Sequence, residues 1–188
     1  MAAANPVIEA IAARRSIRKF EDKPVPSGLE SELLRAAVNS PSAMNLQHWR
    51  FVVISDKAKI RELSDAVKRL FAPQGLTGPM MARFSSKDDT IFHGAPLIIL
   101  VCADRHSGQW AEIDCGIVAE NMFLAAYSLG LGSCFIGFAQ VLNRDRLLLS
   151  TLGIPDNFEV IAPLIFGYPA EKKPGQKRTF EDKVLKRI

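Results

Sequence analysis

The sequence predicts one domain of the α/β or α+β class, with helices flanking a single mixed sheet. Three observations carry this. Strand-like and helix-like stretches alternate along the chain without an internal repeat. Leu97–Val101 is a continuous apolar run of the kind found in buried strands. The stretch from Trp110 to Leu129 reads as a helix that is apolar nearly all round, which belongs in the middle of a core. A length of 188 residues suits a single unit, 1–188, with a sizeable core. Hydrophobic residues at 48% and charged residues at 23% are ordinary for a globular chain and argue against disorder.

Taken in order, Asn5 and Pro6 read as N-cap and first position of a short helix ending near Arg14, with Val7, Ile8 and Ile11 on one face. Ile17–Phe20 reads as extended, and Pro24-Val25-Pro26 as a rigid connector. Ser27 with Glu30 has the form of a capping box, opening a helix that turns Leu29, Leu33, Leu34 and Ala37 inward. A strand is expected from about Arg50 to Ile54. Ser55-Asp56 then caps a helix with Ile60, Leu63, Val67 and Leu70 at the right period. Residues 72–90 break all periodicity, with Pro73, Gly75, Gly78, Pro79 and paired Met80-Met81, and read as a long loop that covers a site or moves. After the central helix, a glycine turn leads into a short strand, Ser133–Gly137. Asn143 is expected to cap a helix running through Ser150, and Glu159–Gly167 to form the last strand.

The net charge of +4 has an uneven origin. Residues Glu171–Ile188 hold seven Lys/Arg and three Asp/Glu, an excess equal to that of the whole chain. Phe180 is the tail's only aromatic, so no stacking array supports a nucleic-acid surface. Cys102, Cys115 and Cys134 lack C-x-x-C spacing and lie in apolar contexts, which suggests reduced packing thiols and a cytoplasmic location. The opening M-A-A-A-N-P-V-I-E-A has neither a basic n-region nor a long apolar core, so no secretory leader is expected. Asn121–Asn143 is free of charge, but Gly130, Gly132 and Gly137 punctuate it and no membrane span is expected. His48, His93 and His106 show no metal-ligand spacing, and no nucleophile elbow is present. Gly130-Leu131-Gly132 follows a helix and lacks a third glycine, which argues against a dinucleotide fingerprint.

Two stretches make little sense as packing alone. Arg14–Phe20, R-R-S-I-R-K-F, places three guanidinium groups and a hydroxyl within five residues, the donor set that a phosphate and a polar ring edge require. Ser40–Arg50, S-P-S-A-M-N-L-Q-H-W-R, follows Pro41 with small and polar Ser42, Ala43 and Asn45 where a core element would want bulk. Such a loop lets backbone and short side chains approach a flat ligand. At this spacing the pair resembles the signature of the nitroreductase family of flavin mononucleotide (FMN) oxidoreductases. That family carries R-[RH]-S-x-[RK]-x-F near the N-terminus and P-S-x-x-N-x-Q-x-W about twenty-five residues later, and the likeness extends over nearly the whole chain.

The resemblance implies an α+β fold with three-layer character: a central, mainly antiparallel sheet flanked by helices, dimeric, with residues 170–188 exchanged between subunits. It implies that Arg14 and Ser16 hold the FMN phosphate and ribityl chain, with Arg15 adjoining, and that Arg18 reaches the pyrimidine edge of the ring. A cation there would stabilise the negative charge of reduced flavin. Pro41, Ser42, Ala43, Met44 and Asn45 would contact the FMN held mainly by the other subunit, and Gln47 and Trp49 also match the pattern, with Trp49 read as packing. The L-G-L-G-S-x-x-I-G segment would turn the backbone amides of Ile136 and Gly137 toward the N5/O4 edge, and Lys177 and Arg178 would add cations for the phosphate. Some members have Glu where this chain has Ile136, which leaves substrate selection near N5 open. The implied activity is ping-pong transfer of a hydride from NADH or NADPH, through flavin N5, to an acceptor such as a nitroaromatic or quinone in a cytoplasmic homodimer. The alternatives are a specialised branch (dehalogenation, flavin degradation or small-molecule dehydrogenation) and a non-catalytic FMN-binding protein.

Overall fold

The computed structural model describes residues 5–71, 77–175, 178–181 and 183–188. Four strands, β1 (Trp49–Ile54), β2 (Leu97–Asp104), β3 (Gly132–Phe135) and β4 (Phe158–Gly167), form one sheet in the order β1-β2-β4-β3. Every neighbouring pair is antiparallel. The parallel component expected of a mixed sheet is a single bridge, Ser16 to Ser133, among the described residues.

Strand β2 shows why the core has two sides. Side chains alternate along a strand, so Ile98, Leu100 and Cys102 enter one apolar cluster while Leu97, Ile99, Val101 and Ala103 enter the other. The first cluster lies under α3 (Lys57–Phe71), α4 (Gly78–Ser85) and α6 (Arg146–Thr151), and the second under α2 (Ser27–Val38) and α5 (Gln109–Ser128). Helices on both faces of one sheet give the expected three layers. A bulge at Val101/Cys102 leaves Ile161 of β4 without a partner in register, and its carbonyl accepts from Gln140 Nε2 at 2.7 Å. All three cysteines are unpaired and buried. Burial pushes the Cys102 and Cys115 thiols up to about 12. No helix among the described residues is long and apolar enough to cross a membrane.

Local signals were met unevenly. Asn5 caps α1 (Pro6–Ala13) by accepting from the N–H of Val7 and Ile8, and Asp56 accepts from Lys59 N at 2.7 Å at the start of α3. The capping box at Ser27 does not form: Pro26 is the N-cap, and Ser27 is already helical. Asn143 caps nothing, because its carboxamide is bonded to both the N–H and the C=O of Val160. Asp145 opens α6 instead, accepting from Leu148 N. The stretch 72–90 is not a plain loop, since it contains α4; residues 72–76 lie outside the described residues. Helix α5 is not enclosed all round. Trp110 is 55% exposed, and Ile113 and Tyr127 are also open, so one stripe lies outside this chain's core.

Gly130, with φ of +75°, follows the end of α5, and the chain turns there into β3. Two residues on, Gly132 permits a close approach: a Cβ there would lie 2.8 Å from Ile17 Cβ. Replacing Gly132 by alanine must therefore push the 14–18 segment off the sheet edge. Gly132→Ala is expected to cost about 1–3 kcal/mol, read as a lower urea midpoint at unchanged m. An unchanged midpoint would show that the seam yields freely.

Candidate functional site

The segment after α1 is held on both sides. On one side Ile17 N donates to Ser133 O of β3 at 2.9 Å. On the other, Glu21 N donates to Tyr168 O, Ala170 N to Lys19 O, and Arg18 N to the Glu171 carboxylate at 2.6 Å. Lys173 Nζ reaches Ser16 O at 2.7 Å and Glu171 at 3.1 Å. Residues 168–173 thus pack on their own chain. Of the tail expected to be exchanged at 170–188, Ala170, Glu171 and Lys173 are bonded to their own chain, and Gly175 lies close to Arg15.

Two cavities are strung along β3. At its Gly132–Ser133 end, a cleft of about 370 Å³ is lined by Arg14, Arg15, Lys172, Lys173, Glu171 and Tyr127, among others. Four cations and one carboxylate share this wall. Arg14 is oriented by Glu120 of α5 (Nε–Oε1 2.9 Å) and lies over the Phe123 ring at 5.5 Å. Arg15 Nε donates to Pro174 O at 3.2 Å. Of the tail residues expected here, Arg178 is exposed and lines neither cavity, and Lys177 lies outside the described residues. Lys172 and Lys173 occupy the cleft instead. The Phe20–Pro169 pairing, which folds the tail back immediately after β4, brings them there.

At the Phe135 end, a second cavity of about 380 Å³ is lined by Arg18, Phe71, Arg83, Phe135, Ile136, Gly137, Phe138 and Gln140. Arg18, Ile136 and Gly137 are therefore brought together, apart from Arg14 and Arg15 but one strand-length away. The Ile136 amide needs correcting. Its N–H is already donated to Pro163 O at 2.9 Å, because strand-like bonding continues one residue past β3. Gly137 and Phe138 open the 3-10 helix Gly137–Arg144, which has no side-chain cap, and the first N–H groups of a helix have no partner inside it. The available amide pair is thus Gly137–Phe138.

Arg83 and His93 were missed in the sequence. Arg83, on α4, donates Nε–H to Thr90 O at 3.0 Å, meets His93 Nε2 at 3.2 Å, and lies over the Phe138 ring at 5.1 Å. Burial, then the charges of Arg83 and Arg18, push the His93 imidazole down to about 4, with Asp89 opposing and Lys173 adding to the fall. The ring is neutral near pH 7, so its Nε2 accepts from Arg83. Burial and the nearby Arg18 lower Arg83's own pKa in turn.

The Pro41–Asn45 loop does not meet these residues within one chain. Asp114 of α5, itself buried, accepts from Ala43 N at 3.2 Å, and Asn121 donates to Ser40 Oγ at 2.8 Å. At about 100° per residue, Asp114 and Asn121 fall on one side of α5; of the residues that hold Arg14, Phe123 falls on nearly the opposite side and Glu120 roughly 110° round the helix. Ser42 Oγ accepts from Gln47 N, and Met44, Asn45 and Gln47 all have positive φ (50°, 58° and 49°). Met44 is 86% exposed, whereas Trp49 is buried in the core as packing.

Comparison with known proteins adds to this geometry. The model of the nitroreductase family matches residues 11–168. An NADH dehydrogenase from Thermus thermophilus is 33% identical over 208 residues, covering 98% of this chain and 99% of that protein. A nitrobenzene nitroreductase from Ectopseudomonas oleovorans is 29% identical, covering 86% of each. The solved structure of a Bacteroides fragilis nitroreductase with bound FMN superposes with a TM-score of 0.86 at 31% identity, covering 98% of this chain and 100% of that one.

The depressed His93 pKa has a consequence for stability. Its folded value of about 4 lies below the unfolded value near 6.5. Between them the unfolded chain binds more protons, so stability falls as pH drops through that window. Asparagine tolerates the positive φ of 59° at this position. His93→Asn is therefore expected to lose less melting temperature than the wild type between pH 6.5 and 4.5 by calorimetry. Parallel curves would remove His93 as the cause.

Proposed function

The chain belongs to the nitroreductase family, and from that premise we propose that it is an FMN-dependent oxidoreductase. It takes reducing equivalents from NADH or NADPH and passes them to an acceptor such as a nitroaromatic or quinone. One observation carries the reading: a cationic cleft and an aromatic cavity lie end to end along β3, joined by the Arg14–Arg18 segment.

The residues present fit the cofactor. Arg14, Arg15, Lys172 and Lys173 supply charge-assisted donors for a dianionic phosphate, and Glu120 pre-orients one of them. Ser16 lies between the two cavities, beside Ser133. Arg18 would face the pyrimidine edge of the ring, and the Gly137 and Phe138 amides its N5/O4 edge. When bound, FMN supplies the hydride chemistry. The chain's own work is to fix the ring, place a cation where negative charge develops, and wall the cavity from water with Phe71 and Phe138. Neither a nucleophile nor a general base is required of it.

We infer further that two subunits build each site. The Pro41–Asn45 loop faces away from Arg14–Arg18 across α5, so only a second copy can bring the two to one ligand. The open stripe of α5, the exposed Val7, Ile8 and Ile11 of α1, and Met44 and Leu46 supply the apolar surface such a contact needs. Left-handed backbone at Met44 and Asn45 costs free energy that a docked ligand or partner would offset. Arg178 remains a candidate phosphate contact only from a tail that crosses to the partner, where exposed Phe180, Leu185 and Ile188 would find cover.

Purified protein is expected to be yellow and to bleach on anaerobic addition of NADH or NADPH. Spectra untouched by either nucleotide would count against the enzyme. Arg14→Ala should weaken FMN binding ten- to hundredfold, from a contact worth about 1.5–3 kcal/mol, with little change in melting temperature of the apoprotein. Truncation after Gly175, which leaves Lys172 and Lys173 in place, should shift sedimentation toward monomer and lower FMN retention. A monomer that binds FMN tightly and stoichiometrically would sink the shared site.

A further inference from the structure

Resting on the oxidoreductase reading above, we propose that Arg83 is a specificity-determining residue that binds the carboxylate of an aromatic acceptor. In the proposed site Arg18 already serves the cofactor edge, and a second guanidinium lines the same cavity without a cofactor role to explain it. Two like charges converging on one cavity are costly unless something anionic comes between them.

The surroundings leave Arg83 without a direct counter-ion. Among the described residues neither Arg83 nor Arg18 forms an ion pair. The obvious counter-ion, Asp89, is engaged elsewhere: its carboxylate accepts from Phe92 N at 2.8 Å and Gly94 N at 3.0 Å. What Arg83 contacts instead is neutral. Thr90 O takes Nε–H, the uncharged His93 ring takes one N–H of Nη2, and Phe138 lies beneath the guanidinium plane. Two of five N–H donors are used, so the head group is held in place while its charge is left for a ligand. A carboxylate suits what remains, since it can accept two parallel N–H bonds from one guanidinium.

The rest of the cavity suits a flat apolar body attached to that carboxylate. Phe71 and Phe138 meet edge to face at 5.5 Å, Phe84 packs against both, and Phe135 also lines the wall. Position matters as well. Arg83 sits on α4, in the stretch 72–90 that carries no family signature, and Thr90 Oγ1 locks the helix end by donating to Arg83 O at 2.6 Å. Selection of acceptor is thereby assigned to an element separate from the cofactor donors.

The test uses full-length holoprotein with two matched pairs of ligands. Calorimetric titration with benzoate and benzamide reads binding without turnover. Steady-state kcat/KM for 4-nitrobenzoate and 4-nitrobenzamide, with the stopped-flow rate of flavin bleaching by NADH and NADPH, reads function. The wild type should bind benzoate more tightly than benzamide. Arg83→Gln should weaken benzoate at least tenfold, leave benzamide within about twofold, and lower the kcat/KM ratio of 4-nitrobenzoate to 4-nitrobenzamide by a similar factor. Arg83→Lys should recover part of both. FMN affinity and the bleaching rates should be unchanged. Equal losses for charged and neutral ligands, or none, would overturn the proposal. So would loss confined to the NADPH bleaching rate, which would give Arg83 to the nucleotide, or a fall in FMN affinity, which would give it to the cofactor. Protein that binds no FMN, or does not turn over, would sink the oxidoreductase reading instead, and the titrations alone would still decide whether Arg83 confers preference for the anion.

Discussion

The site depends on one seam, where residues 16–20 lie between the edge strand β3 and the returning chain at 168–173. An edge strand offers unpaired backbone groups to any passing strand. Here its exposed side is taken by Ile17 through Ser133, and the far side of the same segment is taken by Tyr168, Ala170 and Glu171. Backbone pairing on both sides leaves little freedom for residues 14–18. Long flexible arginine side chains therefore start from fixed points, and the entropy lost on gripping an anion is reduced. The closeness allowed by Gly132 sets how tightly this strip lies against the sheet.

Helix α5 sets the second constraint. One side fills the core, with Cys115, Val118, Met122 and Ala126 buried. A flank anchors the signature loop through Asp114 and Asn121, and the far flank orients Arg14 through Glu120 and Phe123. A rigid helix keeps these two groups a fixed distance apart and facing away from each other. In the dimer proposed above, each chain supplies half of two binding surfaces and no complete one. The apolar stripe between them is the natural place for a twin to dock.

Much of the fold was legible in the sequence because it rests on local rules. The continuous apolar run of β2, Asn5 before Pro6, and Asp56 before α3 each act within a few positions. The failures share a cause: a distant partner outbid the local preference. Asn143 could cap a helix, but Val160 of β4 offers its side chain two bonds at once. The Ile136 amide could face a ligand, but Pro163 lies across from it. The arginine segment could be read because guanidinium groups so dense have few packing uses. Lys173, Arg83 and His93 could not, since each gains meaning only from a neighbour many residues away. Helix α5 was misjudged for a related reason: apolar residues on every side indicate burial without saying whose core provides it.

The raised thiol pKa values of Cys102 and Cys115 give the molecule an unplanned instrument. With values pushed up to about 12, almost none of either thiol is ionised at pH 7, and burial denies reagents even that fraction. Peroxide formed when reduced flavin meets oxygen would find neither sulfur. The two stand on opposite faces of the sheet, Cys102 beneath α3 and the 137–144 turn and Cys115 within α5. Alkylation of either must wait for its own layer to part from the sheet. The two modification rates, followed separately by mass spectrometry, would clock the opening of the two layers in a single native sample.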